Sequence, residues 1–139
     1  MKTQQDAAVF LLRIALAVGF LSAVASRMNL WGAQSSGWKN FVHYTAETNS
    51  FLPQSWAAII AILSTIAELS IGILLLLGFQ IKRTATYASI LTLFFAIAMS
   101  ISFGIKEPLD YSVFAFSAGA FLLRTFPRYV WSLDQLLHQ

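Results

Sequence analysis

Two charged side chains lie inside otherwise apolar stretches of the chain. Arg13 falls within the stretch 7–26, and Glu68 falls near the middle of the stretch 56–79. A charge at the centre of a bilayer costs at least about 2.5 kcal/mol on insertion scales, so each needs a partner, a proton or a ligand. Because arginine pairs well with carboxylates, we predict an Arg13–Glu68 ion pair, direct or bridged by water.

Glu68 belongs to a helix face of small and polar residues. Helical spacing places on that face Ala57, Ala61, Thr65, Glu68 and Gly72. Such a face packs against other helices rather than lipid. One reading of the predicted pair is structural, in which it only fixes helix packing. The other is a proton- or quinone-linked intramembrane site, for which Arg13, Glu68 and Thr65 are the candidate residues.

The composition excludes several classes of protein. The 139 residues are 58% hydrophobic and only 11% charged, whereas soluble domains carry about 25% charged residues. An ordinary soluble enzyme and a disordered chain are both excluded. The chain has no cysteine, so disulfides, thiol catalysis and cysteine-ligated metals are excluded too. No catalytic set and no metal-ligand motif is visible, and we predict no metal site.

Four stretches are long and apolar enough to cross a bilayer as helices, at about 7–26, 56–79, 84–105 and 109–126. They predict an all-α fold, an integral membrane four-helix bundle, in a single transmembrane domain over 1–139. A cleaved signal peptide is the alternative for the first stretch, but Asp6 and Arg13 interrupt the basic-then-apolar order that it requires.

The basic residues predict the orientation in the membrane. One side of the predicted bundle holds Lys2, Lys82, Arg83, Arg124 and Arg128, and the other holds Arg27, Lys39 and Lys106. Both termini are therefore predicted to be cytoplasmic, and the long first loop extracytoplasmic. The net charge of +3 is explained by this topology, so we expect no nucleic-acid partner.

The long first loop is predicted to contain a short amphipathic helix at the membrane surface. Its apolar positions recur at helical spacing at Trp38, Phe41, Val42 and Thr45, while Lys39, His43 and Glu47 lie on a different side. The candidate residues in this loop are Trp38, His43 and Glu47. His43 and Glu47 are four residues apart, which fits a solvated pair or, alternatively, a proton-accessible one.

Helix one carries two faces that could each pack inside a bundle. One face is formed by Arg13, Ala17, Phe20, Val24 and Arg27, and a nearly opposite stripe of small residues by Ala15, Gly19, Ser22, Ala23 and Ser26. Only one face can lie against Glu68. The other would meet another helix, or a second copy of the chain in a homo-oligomer.

The order of motifs resembles the DoxX-like family of small four-helix bacterial membrane proteins. The resemblance covers about residues 8–125. It rests on the segment Leu11–Arg13, the long outer segment around Tyr44–Pro53, the run Ala67–Phe79 with Glu68, Gly72 and Gly78, a basic pair, and Lys106–Ser112 opening the fourth helix. The resemblance implies a location in the bacterial cytoplasmic (inner) membrane and contact with lipid.

The resemblance also implies a link to membrane redox systems, because some relatives act in quinone-linked oxidation and others as assembly factors. We therefore expect an accessory, non-catalytic subunit that scaffolds a membrane redox partner through the loop from Trp31 to Phe51. The alternative is a quinone-binding oxidoreductase subunit that uses Arg13 and Glu68. A small-solute transporter is a weaker alternative, since proline interrupts none of the apolar stretches.

Overall fold

The structure is a computed structural model and describes residues 2–138. Met1 and Gln139, at the ends of the predicted 1–139 domain, and the side chain of Lys2, used in the orientation prediction, lie outside the described part. The described residues form helices and no strand. In chain order the helices are α1 (Lys2–Arg27), α2 (Trp38–Thr48), α3 (Ala57–Leu77), α4 (Ile81–Phe103), α5 (Lys106–Asp110), α6 (Val113–Arg124) and α7 (Leu133–Leu137).

Three helices are candidates for crossing a membrane. The segments Thr3–Arg27, Gln54–Leu77 and Ile81–Phe103 are each long and apolar enough, and they correspond to α1, α3 and α4. Their starts and ends differ by a few residues from those predicted, and α1 begins well before position 7. The predicted all-helical class is confirmed.

The prediction of one continuous helix over 109–126 is wrong. The chain turns at Tyr111 and Ser112, where Ser112 has a φ of 57°, and this turn separates α5 from α6. The 12 residues of α6 extend about 18 Å, whereas the hydrocarbon core of a bilayer is about 30 Å thick. The physical reason lies in Asp110 and Ser112, whose short polar side chains favour turns over helix interiors.

Small residues allow the long helices to pack closely. α3 lies mainly on α1, and α6 lies mainly on α4. A side chain at Gly72 would come within 2.8 Å of Leu21, and three alanines of α4, Ala85, Ala88 and Ala96, are fully buried. The predicted inward face of α3 is confirmed, because Ala57, Ala61, Thr65, Glu68 and Gly72 are all buried.

The bundle has two distinct ends. α2 covers one of them, which we call the α2 end. At the other, which we call the terminal end, the segment 128–138 folds back on the start of α4. There the Asp134 carboxylate accepts hydrogen bonds from the backbone N–H groups of Gln80 and Ile81, at 2.7 and 2.8 Å, and Arg128 pairs with Asp6.

Tyr129 ties this terminal segment to the end of α6, which predicts a pH dependence. Its hydroxyl donates to the carbonyl of Leu123 at 2.8 Å, and burial, with a smaller effect of Asp134, raises the pKa of Tyr129 to about 12. An unfolded tyrosine ionises near pH 10. The stability from the neutral hydroxyl is therefore complete below about pH 10 and is lost as the pH rises towards 12.

We expect Tyr129→Phe to lower the unfolding temperature at pH 8, with the difference from wild type shrinking between pH 10 and 12. The measurement is thermal unfolding in detergent across that range. Tyr87→Phe is the control, since that ring is 64% exposed. A difference that stays constant from pH 8 to 12 would contradict the role of the Tyr129 hydroxyl.

Candidate functional site

The intramembrane carboxylate Glu68 pairs with Arg27, so the prediction of an Arg13–Glu68 pair is wrong. Nη1 of Arg27 bonds to Oε2 of Glu68. The same nitrogen donates to the hydroxyl of Thr65, at 2.9 Å. Only 9% of the arginine side chain and 6% of the glutamate side chain are exposed. The pair is therefore almost completely enclosed by the protein.

The direction of helical side chains explains the choice of partner. Each Cα–Cβ bond tilts towards the N-terminus of its own helix. α1 and α3 are antiparallel, so Glu68 tilts towards the α2 end, while Arg27 tilts away from that end and into the bundle. The two side chains converge. Arg13 tilts towards the terminal end and so diverges from Glu68.

The axial register of α1 and α3 also favours Arg27 over Arg13 as the partner of Glu68. Gly72 lies beside Ala17 and Leu21, so Glu68, which is four residues closer to the α2 end, is level with a point near Ala23. Arg27 is then about 6 Å along the axis from Glu68, and Arg13 is about 15 Å from it. The two helices meet at a register that favours Arg27, and no local sequence pattern sets that register.

An aromatic ring of α2 covers the arginine. The guanidinium carbon of Arg27 lies 3.7 Å from the centroid of the Phe41 ring. A desolvated cation over an aromatic face gains about 2 kcal/mol. The contact connects α2 to the polar pair below it.

A cavity of about 150 Å³ adjoins the pair beneath α2. Arg27, Glu68 and Ser64 provide polar groups, while Phe95 and Met99 of α4 provide an apolar wall. The roof is formed by α2 and the residue after it, with Phe41, Tyr44, Thr45, Thr48 and Asn49. Burial raises the pKa of Tyr44, so its phenol stays neutral at the edge of the cavity.

Arg13 lies in a different place, near the terminal end. Its Nη2 donates to the backbone carbonyl of Trp131 at 2.7 Å, and its buried Nε has no hydrogen-bond partner among the described residues. Of the three residues predicted for the intramembrane site, the structure therefore brings Glu68 and Thr65 together and places Arg13 away from them.

Residues 8–101, about two thirds of the chain, match the DoxX family. The chain belongs to the DoxX family. No curated protein and no solved structure matches it. Glu68, Arg27 and Thr65 all lie within the matched part of this DoxX chain.

The three candidate residues of the long loop do not line the cavity. His43 and Glu47 form an exposed pair, with Nε2 of His43 3.1 Å from Oε1 of Glu47. Trp38 lies 5.9 Å from the ring of Phe41, centroid to centroid. Instead, these residues border open grooves on the surface of α2. Among the described residues, no cluster of three or more His, Asp or Glu could hold a metal.

Sequence reasoning assigned Arg27 to the topology charges and missed its role. The signal was present, because Arg27 shares a helix face with Arg13, Ala17, Phe20 and Val24. That face, and not the opposite stripe of small residues, is buried in the bundle. Arg27 lies three residues beyond Val24 on this buried face, and a buried arginine requires a hydrogen-bond acceptor, of which a carboxylate is the strongest. Phe41 and Tyr44 gave no comparable signal, since only the docking of α2 brings them to the cavity.

Proposed function

We propose that this DoxX-family chain is a quinone-binding subunit of a membrane redox system, and that its cavity beneath α2 binds the ring of a quinone or quinol. One observation carries the proposal. The buried Arg27–Glu68 pair adjoins a cavity with an aromatic roof and an apolar wall. A pair that served only to join α1 and α3 would need neither the cavity nor the roof.

The residues fit one aromatic ring with an oxygen at its edge. An apolar cavity of about 150 Å³ holds a single benzene ring, and the cavity beneath α2 has that volume. The guanidinium of Arg27 is a donor for a carbonyl oxygen, and the carboxylate of Glu68 is an acceptor for a hydroxyl. Phe95 and Met99 would pack on the apolar part of the ring.

Each residue has a defined task in this proposal. Glu68 accepts the proton of a ring hydroxyl, and Arg27 orients and stabilises the carboxylate that does so. Thr65 holds the guanidinium in place, and Phe41 excludes water from the pair. A bound quinone would supply two-electron redox chemistry, with the electrons exchanged with a partner protein, because the chain has no cysteine of its own.

We also propose that α5 and α6 complete a four-helix membrane bundle in the bacterial inner membrane, with both termini cytoplasmic. The positive-inside rule supports this orientation. The terminal end holds Lys82, Arg83, Arg124 and Arg128, whereas Lys39 and Lys106 are the exposed cations at the α2 end. Arg27 is also at the α2 end, but it is buried in its ion pair and is not one of the exposed cations there. The cavity would then lie on the extracytoplasmic side of the bilayer.

The quinone content of the purified protein tests the proposed function. We expect wild type in mild detergent to retain quinone from the bacterial membrane. A charged hydrogen-bond partner is worth about 1.5–3 kcal/mol, so Arg27→Gln should lower the retained quinone by about tenfold or more. Arg13→Gln is the matched control and should retain it, since Arg13 lies outside the site. Extraction followed by chromatography gives the measurement.

A second set of variants separates loss of binding from loss of folding. The double variant Arg27→Gln and Glu68→Gln keeps a hydrogen-bonding side chain at both positions and leaves no unpaired charge. It should fold and still lose quinone. Wild type without quinone, or equal loss from Arg13→Gln and Arg27→Gln, would contradict the proposed site.

The second candidate function is a scaffold without a ligand, as expected from the long loop. Trp31 and Phe51 are each 53% exposed, and Trp56 is 51% exposed. Exposed aromatic residues of this kind are enriched in protein interfaces. A quinone-free protein that co-purifies with one membrane partner, and loses it when Trp31 and Phe51 are changed to serine, would favour this candidate.

A further inference from the structure

A basic groove lies at the terminal end of the bundle, far from the cavity beneath α2. It encloses about 750 Å³ between the start of α4 and the segment that follows α6. The groove is lined by three cationic side chains, Lys82, Arg83 and Arg128, and by one carboxylate, Asp134. Its charge predicts an anionic ligand.

Two of these cations have no partner of opposite charge. Arg128 pairs with Asp6, and the oxygens of Asp134 accept the backbone N–H groups of Gln80 and Ile81. Among the described residues, no carboxylate lies within ion-pair distance of Lys82 or Arg83. Their charges are therefore available to a ligand.

The position of Lys82 and Arg83 in the helix strengthens this inference. They occupy the first turn of α4, which contains no acidic residue. Cations are unfavourable at a helix N-terminus, where the macrodipole is positive. The carboxylate of Asp134 already offsets the dipole at the N–H groups of Gln80 and Ile81, so an anion between Lys82 and Arg83 would mainly relieve the repulsion between these two side chains.

An exposed apolar stripe begins at Arg83 and continues along α4. Steps of four and three residues lead from Arg83 to Tyr87, Ile90, Phe94, Ile97 and Ile101, all of which are exposed. The stripe from Tyr87 to Ile101 extends about 21 Å, which is longer than half the hydrocarbon core of a bilayer. A cationic groove with an apolar stripe leading away from it matches a phospholipid, which has an anionic head and an apolar chain.

We propose that this groove binds the phosphate of an anionic phospholipid, with Lys82 and Arg83 on the headgroup and an acyl chain along the α4 stripe. Basic pockets at the cytoplasmic ends of membrane helices bind anionic headgroups by the same physics. The site requires that the terminal end lie at a membrane surface. It does not depend on what the cavity beneath α2 binds.

Native mass spectrometry of the full chain in detergent tests the site, with phosphatidylglycerol and phosphatidylcholine of identical acyl chains as probes. We expect wild type to prefer phosphatidylglycerol. The double variant Lys82→Gln and Arg83→Gln should lower affinity for phosphatidylglycerol by about 10- to 30-fold, since each interfacial cation contributes about fivefold. Affinity for phosphatidylcholine should change little.

Two further variants serve as controls. Lys39→Gln with Lys106→Gln makes the same change in net charge at the α2 end and should keep the preference. Lys82→Arg with Arg83→Lys keeps the charges and should keep it as well. The proposal is overturned if the Lys82–Arg83 neutral variant still prefers phosphatidylglycerol, or if the α2-end control loses the preference equally. It is also overturned if inorganic phosphate displaces the lipid at comparable concentration, which would indicate a site for a soluble anion.

Discussion

Replacing Glu68 with leucine is expected to destabilise the protein by about 3–5 kcal/mol, because Arg27 would be left buried without its partner. The cost arises from an uncompensated charge rather than from lost packing, since leucine fills a similar volume. Arg27→Met should cost a comparable amount by leaving the carboxylate of Glu68 unpaired. The double variant should be close to wild type, because no buried charge remains.

The free energy of unfolding, measured in mixed micelles for the four proteins, gives the coupling between the two residues. The exposed pair of Lys106 and Asp110, with Nζ and Oδ2 2.5 Å apart, is the control cycle. Exposed pairs of this spacing contribute only about 0.3–0.5 kcal/mol. Additive effects of the two substitutions at Arg27 and Glu68 would show that the pair is not enclosed as described.

The second large effect is expected at Gly78, which ends α3. Its φ of +72° is in the left-handed region, and a Cβ there would lie 2.5 Å from Cβ of Ser132 and 2.7 Å from Nη1 of Arg13. Backbone strain of about 1 kcal/mol and overpacking of about 1–3 kcal/mol predict a loss of about 2–4 kcal/mol in Gly78→Ala.

Gly32→Ala is a matched control for this prediction. Gly32 has a similar φ of +62°, but no atom lies within 4 Å of the position of its Cβ. It should therefore show only the backbone strain, about 1 kcal/mol. Hydrogen exchange would show which segment is destabilised. In Gly78→Ala, the backbone amides of residues 128–138 should lose protection from exchange, because Ser132 must move away from α3. Equal destabilisation by the two alanines would contradict the close contact at Gly78.

Helical periodicity was sufficient to predict some features of the site and not others. It identified the inward face of α3 with Thr65 and Glu68, because burial follows the spacing of small and polar residues. It did not identify Arg27 as the partner of Glu68. That choice depends on the tilt of the two side chains and on the register set by Gly72, which is a contact between distant residues.

Two further differences between the predicted and the observed fold have separate causes, one local and one between distant segments. The turn at Ser112 interrupts an apolar pattern that is typical of one continuous helix, because the backbone there closes its own hydrogen bonds, from the N–H of Ser112 to the carbonyl of Leu109 and from the N–H of Phe116 to the carbonyl of Ser112. The return of the terminal segment depends on Asp134, whose carboxylate caps a helix that begins 53 residues earlier. Such caps between distant segments leave no periodic signal in the sequence.

Photolabelling with an azido-quinone tests the central claim most directly, because it reports where the ring lies. The label, mapped by peptide mass spectrometry, is expected on residues 41–49 of the roof and 60–68 of α3, and Glu68→Gln should lower it by about tenfold, as for other charged hydrogen bonds. Arg13→Gln should leave it unchanged. Labelling that is confined to residues 80–83 and 127–138, or that is insensitive to Glu68→Gln, would contradict a quinone site beneath α2.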